Sequence, residues 1–232
     1  SDLIDGIFAS VSRRLRKSAC LHAPIRGAPG GSAGGAAEKA GNECRSLLNR
    51  GKRLMNAGRY PEAIACCDDL LTACDSFPLA WFIKGTCYAR TGSYSDAIAC
   101  YAKATGIDPG YTGAWNRWGV CLMHLERFGE AVRCFEHALE VNARYTAAWC
   151  NRGIALEKLG RYREASSSFD RAIEADPDYA EAWIRKGSCL KELGERDEGE
   201  RCSARGEALR RRRRRAQESA GIPPGRLTLG DK

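Results

Sequence analysis

WCNRGIALEKLGRYREASSSFDRAIEADP, residues 149–177, repeats a pattern written once before as WNRWGVCLMHLERFGEAVRCFEHALEVNA at 115–143 and before that as WFIKGTCYARTGSYSDAIACYAKATGIDP at 81–109. Trp81, Trp115, Trp149 and Trp183 fall 34 residues apart. Four places after each stands a glycine: Gly85, Gly119, Gly153 and Gly187. Seven places after stands a large residue: Tyr88, Leu122, Leu156 and Leu190. Further on come a small residue (Ala97, Ala131, Ala165), an aromatic (Tyr101, Phe135, Phe169) and a second alanine (Ala104, Ala138, Ala172). Pro109 and Pro177 close two of the units, with Ala143 in the same place of the unit between them. Chance matches drift in phase; these columns do not.

The columns have a physical reading. Trp, Gly and the large residue sit at i, i+4 and i+7, one face of a helix. A glycine inside a helix costs about 1 kcal/mol relative to alanine, so a close approach is expected there. The glycine and alanine columns let two helices come together, and the large and aromatic columns fill the space between. One such unit cannot bury its apolar face alone, so neighbours stack.

The spacing and these residues resemble the tetratricopeptide repeat, a helix–turn–helix unit of 34 residues. The resemblance covers residues 44–206. The family usually has leucine just before the glycine, where this chain has Lys84, Trp118, Arg152 and Lys186. The resemblance implies an all-α, right-handed superhelical α-solenoid whose first helices line a concave groove. Four repeats are expected, plus a degenerate fifth capping unit. Gly58, Gly92, Gly160 and Gly194 mark the turns inside the units, a C-cap preference, and Tyr60, Tyr94, Phe128 and Tyr162 should open the second helices. The fifth unit keeps Trp183, Gly187 and Leu190 but carries Arg196, Gly199, Ser203 and Gly206 where the pattern wants aromatics and alanines. Its second helix therefore reads as a polar, solvent-facing cap.

Three segments follow from composition. Residues 1–37 are an N-terminal segment whose Leu3, Ile4, Ile7, Phe8, Val11 and Leu15 form one stripe beside Arg13, Arg14, Arg16 and Lys17, followed by a Gly/Ala/Pro/Ser-rich linker at 26–37. The stripe fits a frayed terminal helix, a segment (3–15) docked in the groove or on the array, or a helix lying on an anionic membrane. Residues 38–206 are the array. Residues 207–232 are an Arg-rich helix end and a disordered tail.

Net charge divides along the same lines. Residues 44–209 carry 23 basic and 23 acidic side chains, while 210–232 carry eight basic and two acidic ones. A neutral array argues against a groove built for polyanions. The run Arg210, Arg211, Arg212, Arg213, Arg214 and Arg215 fits a solvated helix end, an acidic protein or lipid, or nucleic acid. No apolar run approaches the length needed to cross a membrane, and the N-terminus lacks the pattern of a signal peptide. The chain starts with Ser1 rather than Met, as a processed or trimmed product would. Twelve cysteines without a CxxC predict a reducing, cytoplasmic setting. Cys66, Cys100, Cys134 and Cys202 share one repeat column and Cys87, Cys121 and Cys189 another, as packing residues would.

The groove should be lined by Phe82, Asn116, Val120, Met123, Cys150, Ile154, Glu157 and Ile184, apolar in the middle and polar at the ends. Some relatives grip a C-terminal carboxylate with Lys, Asn and Arg. Only Asn151 and Arg185 match that clamp, while Glu181 puts the wrong charge where it wants a lysine, so a full clamp is not expected. Cys121-x-x-His124 and Cys134-x-x-His137 have zinc-ligand residue types, yet both cysteines belong to columns that recur without histidine. No metal or cofactor is expected. GxSxG, GxxxxGK[ST] and HExxH are all missing, and Asp68, Asp69, Asp176 and Asp178 read as helix-end caps. The sequence thus points to a non-catalytic scaffold that binds a peptide or helix of a partner protein in its groove. The alternative is a basic-tailed adapter that associates with nucleic acid or another polyanion through Arg210–Arg215.

Overall fold

A computed structural model describes residues 33–73 and 76–220. Among them lie ten α-helices and no strand. They are α1 (Ala33–Asn56), α2 (Tyr60–Ala73), α3 (Pro78–Arg90), α4 (Tyr94–Ile107), α5 (Thr112–His124), α6 (Phe128–Val141), α7 (Thr146–Lys158), α8 (Tyr162–Ala175), α9 (Ala180–Glu192) and α10 (Arg196–Ser219). From α4 to α10 each helix starts 34 residues after its equivalent in the previous pair, so the sequence period is a structural period. The second helices α2, α4, α6 and α8 begin at the aromatic residue that the pattern placed there.

The turn inside each pair is one recurring device. Gly58, Gly92, Gly160 and Gly194 have φ between 72° and 88°, the left-handed region that only glycine enters without strain. The next residue donates its N–H to the carbonyl five back: Arg59 to Leu54, Ser93 to Tyr88, Arg161 to Leu156 and Glu195 to Leu190, each at 2.9 Å. This closes the first helix in a Schellman-type cap. The third pair has the same bond, Arg127 to Leu122, but its left-handed residue is Glu126 at φ 58°.

The described residues divide into two compact units that meet between Cys121 and Leu122, inside α5. In the first, α2 packs on both α1 and α3, α3 packs on α4, and α1 touches α3. Its core includes Leu48, Leu54, Ala63, Cys67, Leu70 and Ile83. Further along, Tyr101 is fully buried, and the rings of Trp115 and Trp118 stack at 5.3 Å. In the second unit α6, α7, α8, α9 and α10 pack successively, and α7 touches α9. Phe135, Leu156, Phe169 and Leu190 fill its centre. In both units the first helices of successive pairs meet. Among the described residues the second helices (α2 and α4; α8 and α10) do not. The first helices are therefore the inner layer of each unit.

The glycine and aromatic columns meet as the sequence requires. A methyl group added at Gly153 would stand 2.5 Å from the Phe169 ring, and one at Gly85 would stand 2.9 Å from the Tyr101 ring. The Trp column has a further task. The indole N–H of Trp115 donates to the Pro109 carbonyl (3.0 Å), that of Trp149 to Ala143 (2.8 Å) and that of Trp183 to Pro177 (2.9 Å), tying each first helix to the loop before it.

The segment boundaries differ from the sequence reading at both ends. Helix α1 starts at Ala33, inside the stretch expected as linker, and α10 runs unbroken from Arg196 through the arginine run to Ser219. Residue 206 is no break, because α10 continues the same hydrogen-bonded ladder across it. The expectations for residues 3–15 and for the tail beyond 220 lie outside the described residues.

Helix α10 is also not simply a solvent-facing cap. Gly199, Cys202, Gly206 and Leu209 are buried against α9. Glycines face each other across the contact: a methyl at Gly199 would stand 2.7 Å from the Gly187 carbonyl oxygen. Losing the aromatic and alanine columns permits a closer approach of backbones here rather than a loss of contact. Nor does Asp68 cap a helix. It lies within α2 and its carboxylate accepts a hydrogen bond from Lys84 at 2.5 Å.

Candidate functional site

Each first helix carries its Trp, Gly and large column toward its own pair, which leaves an opposite strip for the inner face of the unit. The sequence placed ten residues on that strip or beside it. Val120, Met123, Ile154 and Glu157 are half-buried there, as are Phe82, Asn151, Ile184 and Arg185. Asn116 and Cys150 are not surface residues: they are 5% and 1% exposed.

The first position after the Trp is covered by a second recurring column, whose place above it only the fold decides. An aromatic stands four residues before each Trp: Phe77, Tyr111, Tyr145 and Tyr179. In the first unit the Tyr111 ring lies 4.9 Å from the Phe82 ring, and Phe77 packs on the core cluster containing Leu48. In the second unit Tyr179 lies beside the Cys150 thiol, and burial, ahead of nearby negative charge, pushes that thiol up to about 12. The loop of the following pair therefore folds over this column. Ile184 has no such aromatic after it. Its side chain instead lies over Gly206 of α10, where a methyl would meet it at 2.6 Å.

The open part of the inner face in the second unit has a defined electrostatic border. The Arg185 guanidinium on α9 donates to Glu181 at 2.8 Å and reaches Glu157 on α7 at 3.4 Å. The other oxygen of Glu181 accepts from Arg210 on α10 at 2.9 Å. Burial works against the Arg185 charge, but Glu181 and Glu157 outweigh it and hold its pKa above the usual value. The chain Glu157–Arg185–Glu181–Arg210 is thus internally neutral. Arg185, one of the two clamp-like residues, is held by carboxylates of its own chain. Ile154 lies one helical turn before Glu157 on α7.

A second pattern, sixteen residues long, appears only in the structure. Lys84 on α3 pairs with Asp68 on α2, Arg152 on α7 with Glu136 on α6 (2.8 Å), and Lys186 on α9 with Asp170 on α8 (2.7 Å). These are the positions where the family's usual leucine is missing. In each the cation sits half-covered and fixes a first helix to the second helix of the preceding pair. Burial opposes the charges of Lys84 and Lys186, but their aspartates outweigh it and raise both pKa values. The matching column in the remaining pair reads Ala102 and Trp118, apolar at both ends.

Nine of the ten described cysteines are buried free thiols, and the tenth, Cys44, is half-exposed. Burial pushes Cys67, Cys121 and Cys189 up to about 12 and Cys87 and Cys100 to about 11, so these are protonated packing groups. His124 is exposed, and the His137 ring lies 3.1 Å from Glu140. No three His, Cys, Asp or Glu among the described residues are arranged to hold a metal ion. Nor is any described helix long and apolar enough to cross a membrane.

The arginine run lies wholly on α10. Leu209 is its last buried residue, and Arg210 through Arg215 are all exposed. Arg210 pairs with Glu181, and Arg214 with Glu218 at 3.4 Å.

Comparison with known proteins agrees with this architecture. Three tetratricopeptide-repeat family models match residues 48–112, 113–145 and 146–179. No curated protein matches the chain. Among solved structures, a MamA protein superposes with a TM-score of 0.67 at 19% identity, covering 71% of this chain and 96% of its own. A MamA fragment from Desulfovibrio magneticus RS-1 gives 0.67 at 16%, covering 73% and 96%. YrrB, described as a TPR protein with an unusual peptide-binding site, gives 0.64 at 21%, covering 83% and 99%. At these identities the likeness concerns the fold. The period, the helix pairs built on it and the matched family models together make this chain a member of the tetratricopeptide repeat family.

Proposed function

We propose that this protein is a non-catalytic scaffold that holds a peptide or helical segment of a partner protein against the inner face of its first helices. One observation carries the reading. The cores of the helix pairs are closed, yet Val120 in the first unit and Met123 and Ile154 in the second remain half-exposed on first helices. Apolar side chains flanked by polar groups suit an amphipathic helix or an extended peptide, which buries its own apolar side chains there. Glu157 and Arg185 border the face in the second unit and give such a segment polar groups to align with. The family supports the same class of role, and YrrB, a relative in fold, is described as peptide-binding.

The test is to pan a random peptide library against the full chain and to measure retained peptides by fluorescence anisotropy. Ile154→Glu should weaken binding at least tenfold while circular dichroism stays unchanged. Full binding to both Ile154→Glu and Val120→Glu would show that the inner face is not the site.

A further inference from the structure

The buried seam of α10 ends abruptly. Gly199, Cys202, Gly206 and Leu209 follow a 3–4–3 spacing along the side that faces α9. The next position on that seam is Arg213, which is exposed. From residue 210 to 219 no residue of α10 is buried, so the helix has left the bundle. Ten residues at 1.5 Å each make about 15 Å of free helix.

Its chemistry is uniform. Successive residues of a helix are turned by about 100°, so six consecutive arginines point in every direction around the axis. Two are engaged within the chain: Arg210 anchors the base of the projection to Glu181, and Arg214 pairs with Glu218. The remaining four stand on a rod with no apolar side. The basic residues of this helix end are all arginine, whose planar fork matches phosphate oxygens in pairs.

From this geometry we infer that the projecting end of α10 is a binding site for duplex DNA, which it enters by the major groove and holds through the phosphates of both strands. A helix with its side chains is about 10–12 Å across and the groove of B-DNA about 12 Å wide. The four free arginines span about 200° of the circumference, more than a flat surface meets, and are used fully only by an occupant that wraps round the rod. A membrane is a plane and meets about half of the arginines, and the rod has no apolar face to insert. Single strands need aromatic side chains to stack on, and residues 207–219 have none. Base reading is not part of the site, because arginines on every side leave no single face dedicated to the bases; binding is therefore indifferent to sequence.

The experiment titrates the full chain into a fluorescent 20-base-pair DNA duplex of arbitrary sequence and repeats this across salt concentrations. Four arginines on four phosphates predict a log–log salt slope near −3.6, hence about a 150-fold weakening for a fourfold rise in salt. Replacing Arg211, Arg212, Arg213 and Arg215 by glutamine keeps a good helix former at each place and should abolish the slope and most of the affinity. Replacement by lysine should retain most of both. Binding by the glutamine variant equal to that of the wild type would overturn the inference. So would equal or tighter binding of the wild type to phosphatidylserine vesicles, to single-stranded DNA or to polyglutamate.

Discussion

Glu126 is the residue at which this chain departs most plainly from its own rule. Four of the five intra-pair turns put glycine in the left-handed region, and the third puts a glutamate there at φ 58°. The steric conflict of a side chain in that region is worth about 1–2 kcal/mol. Glu126→Gly should therefore raise stability by about 1 kcal/mol after the added freedom of the unfolded chain is counted, read as a higher urea midpoint. Glycine within helices works the other way. At Gly153 a methyl would meet the Phe169 ring at 2.5 Å, whereas at Gly129 in α6 it meets nothing within 4 Å. Gly153→Ala should cost about 1–3 kcal/mol through overpacking. Gly129→Ala should gain up to about 1 kcal/mol from helix propensity. Opposite signs for one substitution, seen in the same denaturation experiment, would establish that close packing rather than the residue type sets the glycine column.

At the scale of helices, the links between pairs are partly ionic. The Lys186–Asp170 pair joins α9 to α8 at 2.7 Å with the lysine half-covered. A double-mutant cycle on Lys186→Met and Asp170→Ala should give a coupling of about 0.5–1 kcal/mol, the size seen for ion pairs near a surface. The pair's linkage to pH has a definite sign. Its folded-state lysine pKa is raised, so its contribution is complete below the unfolded value and is lost as pH rises through the folded one. The coupling should therefore persist at pH 7–9 and vanish in strong alkali. These ion pairs stand at the positions where the family usually has leucine. They also fix which helix faces which, since the cation and the carboxylate lie sixteen residues apart in every pair that has them.

At the scale of the whole molecule the buried thiols contribute to alkaline behaviour, together with the buried tyrosines Tyr101, Tyr111 and Tyr179, which burial also pushes up. Unfolded cysteine loses its proton near 8.5, while burial holds several folded thiols up to about 11 or about 12. Between those values the folded state binds more protons than the unfolded one, so stability falls as pH rises. Urea midpoints should be nearly flat from pH 6 to 8 and drop steeply from pH 9 to 11. Removing one thiol, as in Cys87→Ala, should make that drop shallower while lowering the midpoint at pH 7.

The 34-residue period by itself determined the helix pairs, the intra-pair turns, the positions where second helices start and the buried columns. Each depends on neighbours within a turn or two of helix, and such information is local in the chain. The sequence could not say that Tyr111 and Tyr179 fold back over Phe82 and Cys150, which half-covers the first and buries the second. That cover depends on a loop meeting the helix of the previous pair. Nor could it say that Arg185 is held by Glu157 and Glu181, or that α10 leaves the bundle after Leu209. Charges and seams are written in one dimension, but their partners are chosen by packing across about sixteen to thirty residues of chain. Only the tertiary structure brings those residues within a hydrogen bond of one another.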